Sequence, residues 1–383
     1  MRRRGYLAGA VGLLSLTGLP YLAYLGAYAL KRPHGSPATK RPAEPTVSVV
    51  LPTYNEQRIV ESKLEEIVAL EYPLEKVEVV VVDSSDDRTP ELVEAFFRDL
   101  QAPTLTLICE DERRGLAPAL NEAYAAASGE MVVKTDCDSR IDGNALREAA
   151  ANLADPAVGA VTGRNAEVLG GSGVERGYRD VQALVQTLES HLDSTLIFHG
   201  PFCAFEREAI VPIDEDSIAD DSELALKIRK GGKRAVFDPA IEYKEAAHSG
   251  FAKRRKQKDR RAMGLVRLLW RQRDMLGGYG AYGRAVLPFN WWFMVVSPWL
   301  VVSLCGLLLV GGLLAGLLPG LVVLAGGLLT VLLGSRDALG PLQPLYAVFD
   351  TQVSLFRAGL RLLGGEGDGT WEVDLELREV YDD

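Results

Sequence analysis

From Ala285 to Gly334 the chain carries no charged residue, over AVLPFNWWFMVVSPWLVVSLCGLLLVGGLLAGLLPGLVVLAGGLLTVLLG. A helix of about 20 apolar residues already crosses a bilayer, so this run holds enough for two spans. The glycine- and proline-bearing stretch between Gly311 and Gly320 is the place for a tight turn between them. A second uncharged run, residues 6–30, meets the same length criterion near the N-terminus. A cleaved signal peptide is the alternative there. The run is longer than a signal core and no cleavage site precedes Lys31, so an uncleaved anchor is expected.

Charge sets the orientation. Arg2, Arg3 and Arg4 argue for a cytoplasmic N-terminus, whereas Lys31, Arg32, Lys40 and Arg41 argue the reverse. The dense cluster Lys253–Arg273, with Arg284, decides for a cytoplasmic soluble domain under the positive-inside rule. The segment FAKRRKQKDRRAMGLVRLLWRQRDML carries ten basic and two acidic residues interleaved with Phe251, Met263, Leu265, Leu268, Leu269 and Trp270. That pattern suits a helix lying on an anionic bilayer. The adjacent spans and a net charge of −10 argue against nucleic acid as its partner. Residues 345–363 place Asp350, Ser354, Arg357 and Arg361 on one helical stripe, which favours an interfacial helix over a third C-terminal span. Trp371 in the acidic tail is a candidate interface anchor. The four cysteines show no paired spacing, so neither a zinc site nor a disulfide framework is indicated.

Between the apolar runs the pattern changes. TVSVVLP, KVEVVVVDSS, TLTLIC and EMVVKTD read as strands. NEQRIVESKLEEIVAL, TPELVEAFFRDL (Thr89 as cap, Pro90 at the first position) and GLAPALNEAYAAASG read as helices. Strands alternating with helices of this length imply an α/β domain, a parallel sheet covered on both faces. Ligands bind such sheets beyond the carboxyl ends of the strands. PTYNE, DSSDD, EDERRG and DCDSR all fall there. No G-x-G-x-x-G follows the first strand and no G-x-x-x-x-G-K-[ST] occurs, which argues against a dinucleotide fold and a P-loop. Asp136 and Asp138, separated by Cys137, are expected on one face of the extended fourth strand. Two adjacent carboxylates at a buried edge are costly unless one is protonated, both are solvated, or a divalent cation joins them to a polyanion. Mg²⁺ and Mn²⁺ prefer oxygen ligands and take one or two carboxylates plus substrate phosphates.

The ordered set VSVVLPTYNE, VVVVDSSDD, RRGLAPALN, TDCDS, GPFCAFERE, ADDSELALKIRKGGKRAVFDP and QKDRRAMG resembles the family 2 glycosyltransferases of GT-A fold, over residues 46–270. It is most similar to their membrane-embedded branch, which includes hyaluronan and cellulose synthases and archaeal glycan-assembly enzymes. The resemblance implies a Rossmann-like, mostly parallel sheet with helices on both faces, joined to transmembrane and interfacial helices. It implies a nucleotide-sugar donor of UDP or GDP type, Mg²⁺ or Mn²⁺, and a lipid-linked or glycan acceptor, polyprenyl phosphate among the candidates. Pro52, Asn55 and Glu56 would then line the nucleotide pocket and Asp83 would bind the base. Arg114 and Asn121 would lie near the nucleotide and sugar. Asp136 and Asp138 match the D-x-D, with Asp138 the more direct metal ligand, and Asp221 matches the catalytic carboxylate. Gln257 and Arg260 match a Q-x-x-R-W box that closes over the donor diphosphate. Arg261 stands where that box has Trp, which favours single transfer over processive polymer synthesis. A catalytically silent membrane scaffold is the reading from outside enzymes.

The expected organisation is an anchor and linker over residues 1–45, a GT-A domain over 46–250 and a basic interfacial segment over 251–285. Two spans over 286–334 and an interfacial helix with an acidic tail over 335–383 complete it. His191 and His199 read as structural, and His248 as a weak candidate for meeting phosphate.

Overall fold

Helix α1 (Arg2–Lys31) leads into a strand–helix alternation: β1 (Val47–Thr53), α2 (Val60–Val68), β2 (Val77–Asp83), α3 (Thr89–Phe97), β3 (Thr104–Cys109), α4 (Leu116–Ala126) and β4 (Met131–Lys134). The second half follows with β5 (Ser139–Ile141), α5 (Ala145–Leu153), β6 (Val158–Leu169), α6 (Gly173–Leu192), β7 (Cys203–Glu206), α7 (Asp220–Lys230) and β8 (Arg234–Ala246). This computed structural model describes residues 2–169, 173–246 and 251–365, together with Arg378 and Tyr381. His248 and Trp371 lie outside the described residues.

The eight strands form one sheet in the order β3-β2-β1-β4-β7-β6-β8-β5. The expected parallel arrangement holds for β3, β2, β1 and β4. The other half is mixed: β7 runs antiparallel to β4 and β6, β6 is parallel to β8, and β5 is antiparallel to β8. Two-residue periodicity sorts the side chains onto two faces. Val47, Val49 and Leu51, with Val79 and Val81, face α2, α3 and α5. Val50, Val80 and Val82 face α4 and α7. Both faces are thus sealed, which is why the strands read as nearly continuous apolar runs.

Three local expectations are corrected. Helix α2 begins at Val60 rather than near Asn55, because Asn55 takes a left-handed backbone (φ 57°) that interrupts the helical pattern. Thr89 is the first residue of α3, not its cap; the Asp87 carboxylate accepts the Thr89 N–H at 2.9 Å and serves that end instead. Strand β4 ends at Lys134, so Asp136 and Asp138 lie in the turn to β5 and strand alternation does not govern them.

Beyond the sheet come α8 (Phe251–Arg271), α9 (Leu287–Trp291), α10 (Ser297–Ala315), α11 (Leu317–Ser335) and α12 (Gln343–Leu363). Two π-helical turns, Tyr282–Val286 and Trp292–Val296, make the path from Tyr282 to Ala315 continuous. Three segments are long and apolar enough to cross a membrane: Ala8–Lys31, Tyr282–Ala315 and Leu317–Ser335. The turn between the last two falls at Gly316, inside the window the sequence marked. Helix α1 runs antiparallel to α10. Tyr6 approaches Gly311, while Tyr24 stacks on Phe289 with ring centroids 3.7 Å apart. Lys31 therefore ends on the side of the sheet domain, and the Gly316 turn lies on the far side.

The polar stripe of helix α12 faces α8. Asp350 and Ser354 are buried against α8: Arg255 donates to Ser354 Oγ at 2.8 Å and Lys258 to Asp350 Oδ2 at 3.1 Å. Arg357 pairs with the buried Asp259 at 2.9 Å. These polar residues lock two helices together. A third apolar core, including Leu196, Leu226, Met263, Leu269, Met294 and Leu355, ties this assembly to the sheet domain.

Candidate active site

The loops after β1 and β2 are stitched to each other. Asp83, buried at the end of β2, accepts Thr53 Oγ1 at 2.5 Å, Ser85 Oγ at 2.7 Å and Ser85 N–H at 3.0 Å. The N–H of Asn55 donates to Ser85 Oγ at 2.7 Å, and its Oδ1 accepts the Asp86 N–H at 3.1 Å. Glu56 is held by its own N–H, which donates to Thr89 Oγ1 at 2.9 Å. Pro52, partly buried near the end of β1, completes this wall.

The D-x-D turn is held from below and from both sides. The buried Lys63 donates to the Ser139 carbonyl at 3.1 Å, Ser139 Oγ donates to the Asp136 carbonyl at 2.7 Å, and Thr135 Oγ1 donates to the Pro201 carbonyl at 2.8 Å. Because β7 pairs antiparallel with β4, with Cys203 opposite Lys134, the Gly200–Phe202 loop is brought against the turn. A Cβ built on Gly200 would lie 2.6 Å from Asp136 Oδ2, 2.9 Å from Lys134 Nζ and 3.1 Å from Asp221 Oδ2. A side chain at position 200 would displace the ends of these three groups.

Lys134 is the link between them. It is 2 % exposed, with Nζ 2.7 Å from Asp136 Oδ1 and 3.3 Å from Asp221 Oδ1. Asp221 comes from the first turn of α7, where the helix dipole favours a carboxylate. Burial and the adjacent Asp220 nevertheless push its proton affinity well above that of an ordinary aspartate, against the opposing charge of Lys134. Burial also raises the Asp138 pKa, with Arg378 opposing.

Arg378, close to the C-terminus, enters the same site. Its guanidinium forms a two-pronged pair with Glu56, Nε to Oε2 at 2.9 Å and Nη2 to Oε1, and reaches Asp138 Oδ2 through Nη1 at 3.0 Å. Burial pushes Glu56 up to about 7 in spite of this partner.

Helix α8 closes the remaining side. At Gly264 it comes so near the segment preceding α7 that a Cβ would lie 3.1 Å from the Ile218 carbonyl carbon. One turn earlier, Arg260 is half-buried; burial lowers its pKa, and the charges of Asp220, Asp136 and Asp138 act against that shift. Arg261 pairs with Glu245 at 2.5 Å, and Arg179 reaches the same carboxylate at 2.7 Å. The two guanidiniums outweigh its burial and hold Glu245 at about 2. Gln257 sits half-buried a turn before Arg261.

Not every expected residue joins this group. Arg114 is exposed and tied to Glu110 and Glu122. Asn121 spends its amide on Ile213, donating to the carbonyl at 2.8 Å and accepting the N–H at 2.9 Å, which holds the loop before α7. His199 is half-buried; the loss of solvent around it lowers its pKa to about 3, and its Nε2 lies 3.1 Å from Gln186 Oε1. His191 Nδ1 lies 2.9 Å from the Thr187 carbonyl within α6. Sequence reasoning missed Lys134, Gly200 and Arg378. A lysine inside the apolar strand EMVVKTD was the one visible signal, since a buried lysine needs a carboxylate partner.

The donor set fits a hard divalent cation. Asp138 and Asp136 offer oxygen ligands only, and among the described residues no group of three ligating side chains forms. Such a pair leaves most of the coordination shell to water and substrate phosphates, as Mg²⁺ and Mn²⁺ commonly require. The guanidinium on Asp138 already marks a cation's place.

Comparison with known proteins decides the family. The model described as "Glycosyl transferase family 2" matches residues 48–213, and that described as "Glycosyl transferase family group 2" matches residues 131–334. The chain belongs to glycosyltransferase family 2. The structure of a mannosyltransferase from Pyrobaculum calidifontis in complex with GDP-Man and Mn²⁺ superposes with a TM-score of 0.79 at 32% identity, covering 94% of this chain and 99% of that one. The poly-beta-1,6-N-acetyl-D-glucosamine synthase of Staphylococcus aureus is 29% identical over 202 residues, 50% of this chain and 48% of the synthase. That of Staphylococcus epidermidis is 29% identical over 209 residues, 52% and 48% of the respective chains. The chain thus spans about half the length of these curated relatives. Its fold is the GT-A fold of that family.

Proposed function

We propose that the chain is a metal-dependent, inverting hexosyltransferase, anchored by several spans in the cell membrane. In this reading its GT-A domain, residues 46–250, works on the cytoplasmic side and passes a sugar to a lipid-linked or glycan acceptor. One observation carries the reading: Asp221 and Asp136 converge on the buried Lys134 beneath Gly200, with Asp138 next in the same turn.

Asp221 takes the proton from the attacking acceptor hydroxyl; its raised proton affinity suits a general base. Lys134 keeps Asp221 and Asp136 together where their like charges would otherwise drive them apart. Asp138 and Asp136 would hold Mg²⁺ or Mn²⁺, which when bound supplies neutralisation of the departing diphosphate. Arg260, with Gln257, covers the diphosphate from α8 and adds a fixed positive charge where the leaving group forms. Pro52, Asn55, Glu56 and Asp83 form the nucleoside wall. The basic face of α8 meets the membrane and the phosphate of a lipid-linked acceptor such as polyprenyl phosphate.

GDP-mannose is the first donor to test, because the mannosyltransferase that this chain matches over 99% of its length was solved with it; UDP-sugars come next. The test is nucleoside diphosphate release by the purified chain across a donor panel, with Mg²⁺, Mn²⁺ or chelator and a polyprenyl phosphate acceptor. Release that needs metal and acceptor supports the reading, and no release with any donor overturns it.

The likeness to a poly-N-acetylglucosamine synthase supports a second reading, processive synthesis. Arg261 speaks against it. That residue holds Glu245 instead of offering the aromatic surface of the polymerases' box. Product length on a short defined acceptor separates the two.

A further inference from the structure

The acidic tail had no role in the sequence reading, yet two of its residues are anchored at the D-x-D turn. Arg378 is buried, with Nε and Nη2 on Glu56 and Nη1 on Asp138 Oδ2 at 3.0 Å. Tyr381 fastens the same turn: its hydroxyl donates to the Asp138 carbonyl at 2.7 Å and accepts the Ala246 N–H at 3.0 Å. The Arg140 guanidinium lies 4.3 Å from the centre of the Tyr381 ring. These contacts define a built site for one cation among acidic groups.

We propose that Arg378 is the resident counter-cation of the donor site, and that it competes with the divalent ion for Asp138. The inference rests on Asp138 being a metal ligand. The Asp138 oxygen that accepts Nη1 is the kind of hard oxygen ligand Mg²⁺ and Mn²⁺ select. A guanidinium and a divalent cation cannot share it without like-charge repulsion at contact distance. Arg378 on Asp138 therefore opposes metal entry, and the two cations compete for the carboxylate. Where only a fraction of molecules has the site open, the apparent affinity for the metal falls by that fraction. Bound metal and donor likewise disfavour the Arg378 contact, because linkage is reciprocal. Without metal, the guanidinium balances the buried Glu56 and the partly exposed Asp138.

The test is Mn²⁺ binding to the purified, detergent-solubilised chain in the absence of donor, followed by the loss of the free-ion electron paramagnetic resonance signal. Wild type, Arg378→Ala and Arg378→Lys are compared, with melting temperature in chelator and in Mn²⁺ as a second readout. Arg378→Ala is expected to bind Mn²⁺ about ten- to a hundredfold more tightly, the range a charge-assisted contact spans. Arg378→Lys, which keeps the charge but not the fork, should fall between. In chelator the alanine variant should melt below wild type, and saturating Mn²⁺ should close that gap.

If wild type binds Mn²⁺ and Arg378→Ala binds it no more tightly, the competition is wrong while the metal site stands. If neither binds Mn²⁺, even with GDP or UDP present, the metal reading fails and takes this inference with it. Should the alanine variant not fold, the lysine variant decides alone, and affinity equal to wild type overturns the proposal.

Discussion

Between α8 and α12, each buried acid has its own base. Asp350 is met by Arg255 and Lys258, and Asp259 by Arg357. At the sheet edge five acids, Glu56, Asp136, Asp138, Asp220 and Asp221, are crowded around Lys134, Arg378 and the half-buried Arg260. Buried charge that is balanced locally holds elements together. Buried charge left in acidic surplus costs stability and is tolerated where a further cation is to be received. The first cluster is a clasp between helices, and the second suits the proposed role of receiving a further cation.

That contrast breaks most readily through activity. Asp221→Asn should lower the transfer rate by roughly a hundred- to ten-thousandfold, as loss of a general base does, while sparing Mn²⁺-dependent donor binding. Asp138→Ala should lose that donor binding as well. Equal loss of donor affinity in both variants would erase the division between base and metal ligand.

Asp350→Ala should act in the opposite way. Removing one partner of a buried pair costs about 3–5 kcal/mol, so chemical denaturation should show a large loss of stability. Donor affinity of the molecules that remain folded should not change. A folded Asp350→Ala protein with abolished donor binding would join the two clusters into one.

Glu189 offers an intermediate case: one buried acid with neutral partners, Thr195, Asn290 and Tyr24. Burial outweighs these donors and raises its pKa from 4.5 to about 7. The folded state thus holds a proton that the unfolded chain releases, so stability is greatest below about pH 4.5 for this group and declines as pH rises to about 7. The span of that decline is ~3 kcal/mol. Glu189→Gln should flatten it in pH-dependent unfolding, and an unchanged slope would show that Glu189 does not titrate there.

Gly200→Ala should have the smallest effect, about a tenfold loss in turnover from a shift of a few tenths of an ångström in Asp136, Lys134 or Asp221. Unchanged turnover would mean that the tight fit over Lys134 is not needed for the chemistry.

Much of this molecule was legible in its sequence, for physical reasons that differ by region. The apolar runs had to be spans or core by length alone, and Gly316 falls where a turn between two spans was marked. Strands β1, β2 and β4 were readable because both their faces are buried, and the edge strand β3 because its run TLTLIC is short and rich in β-formers. The mixed half of the sheet was not, since β7 enters between β4 and β6 by a pairing that no local pattern encodes. The D-x-D was recognised as a motif but its geometry was misjudged, because β4 stops at Lys134. Lys134 itself was visible as a cation in an apolar strand, whereas its partner Asp221 lies far along the chain. Arg378 carried no signal at all. One arginine in an acidic tail looks like a solvated charge until folding brings it to Glu56 and Asp138.

The most direct measurement is calorimetric titration of the purified chain with nucleotide sugar, GDP-mannose first, in Mn²⁺ and again in chelator, with Asp138→Ala alongside. Binding should be strong in Mn²⁺, at least tenfold weaker in chelator, and insensitive to Mn²⁺ in the variant. Equal affinity in Mn²⁺ and in chelator would contradict a cation at the acidic edge of the sheet.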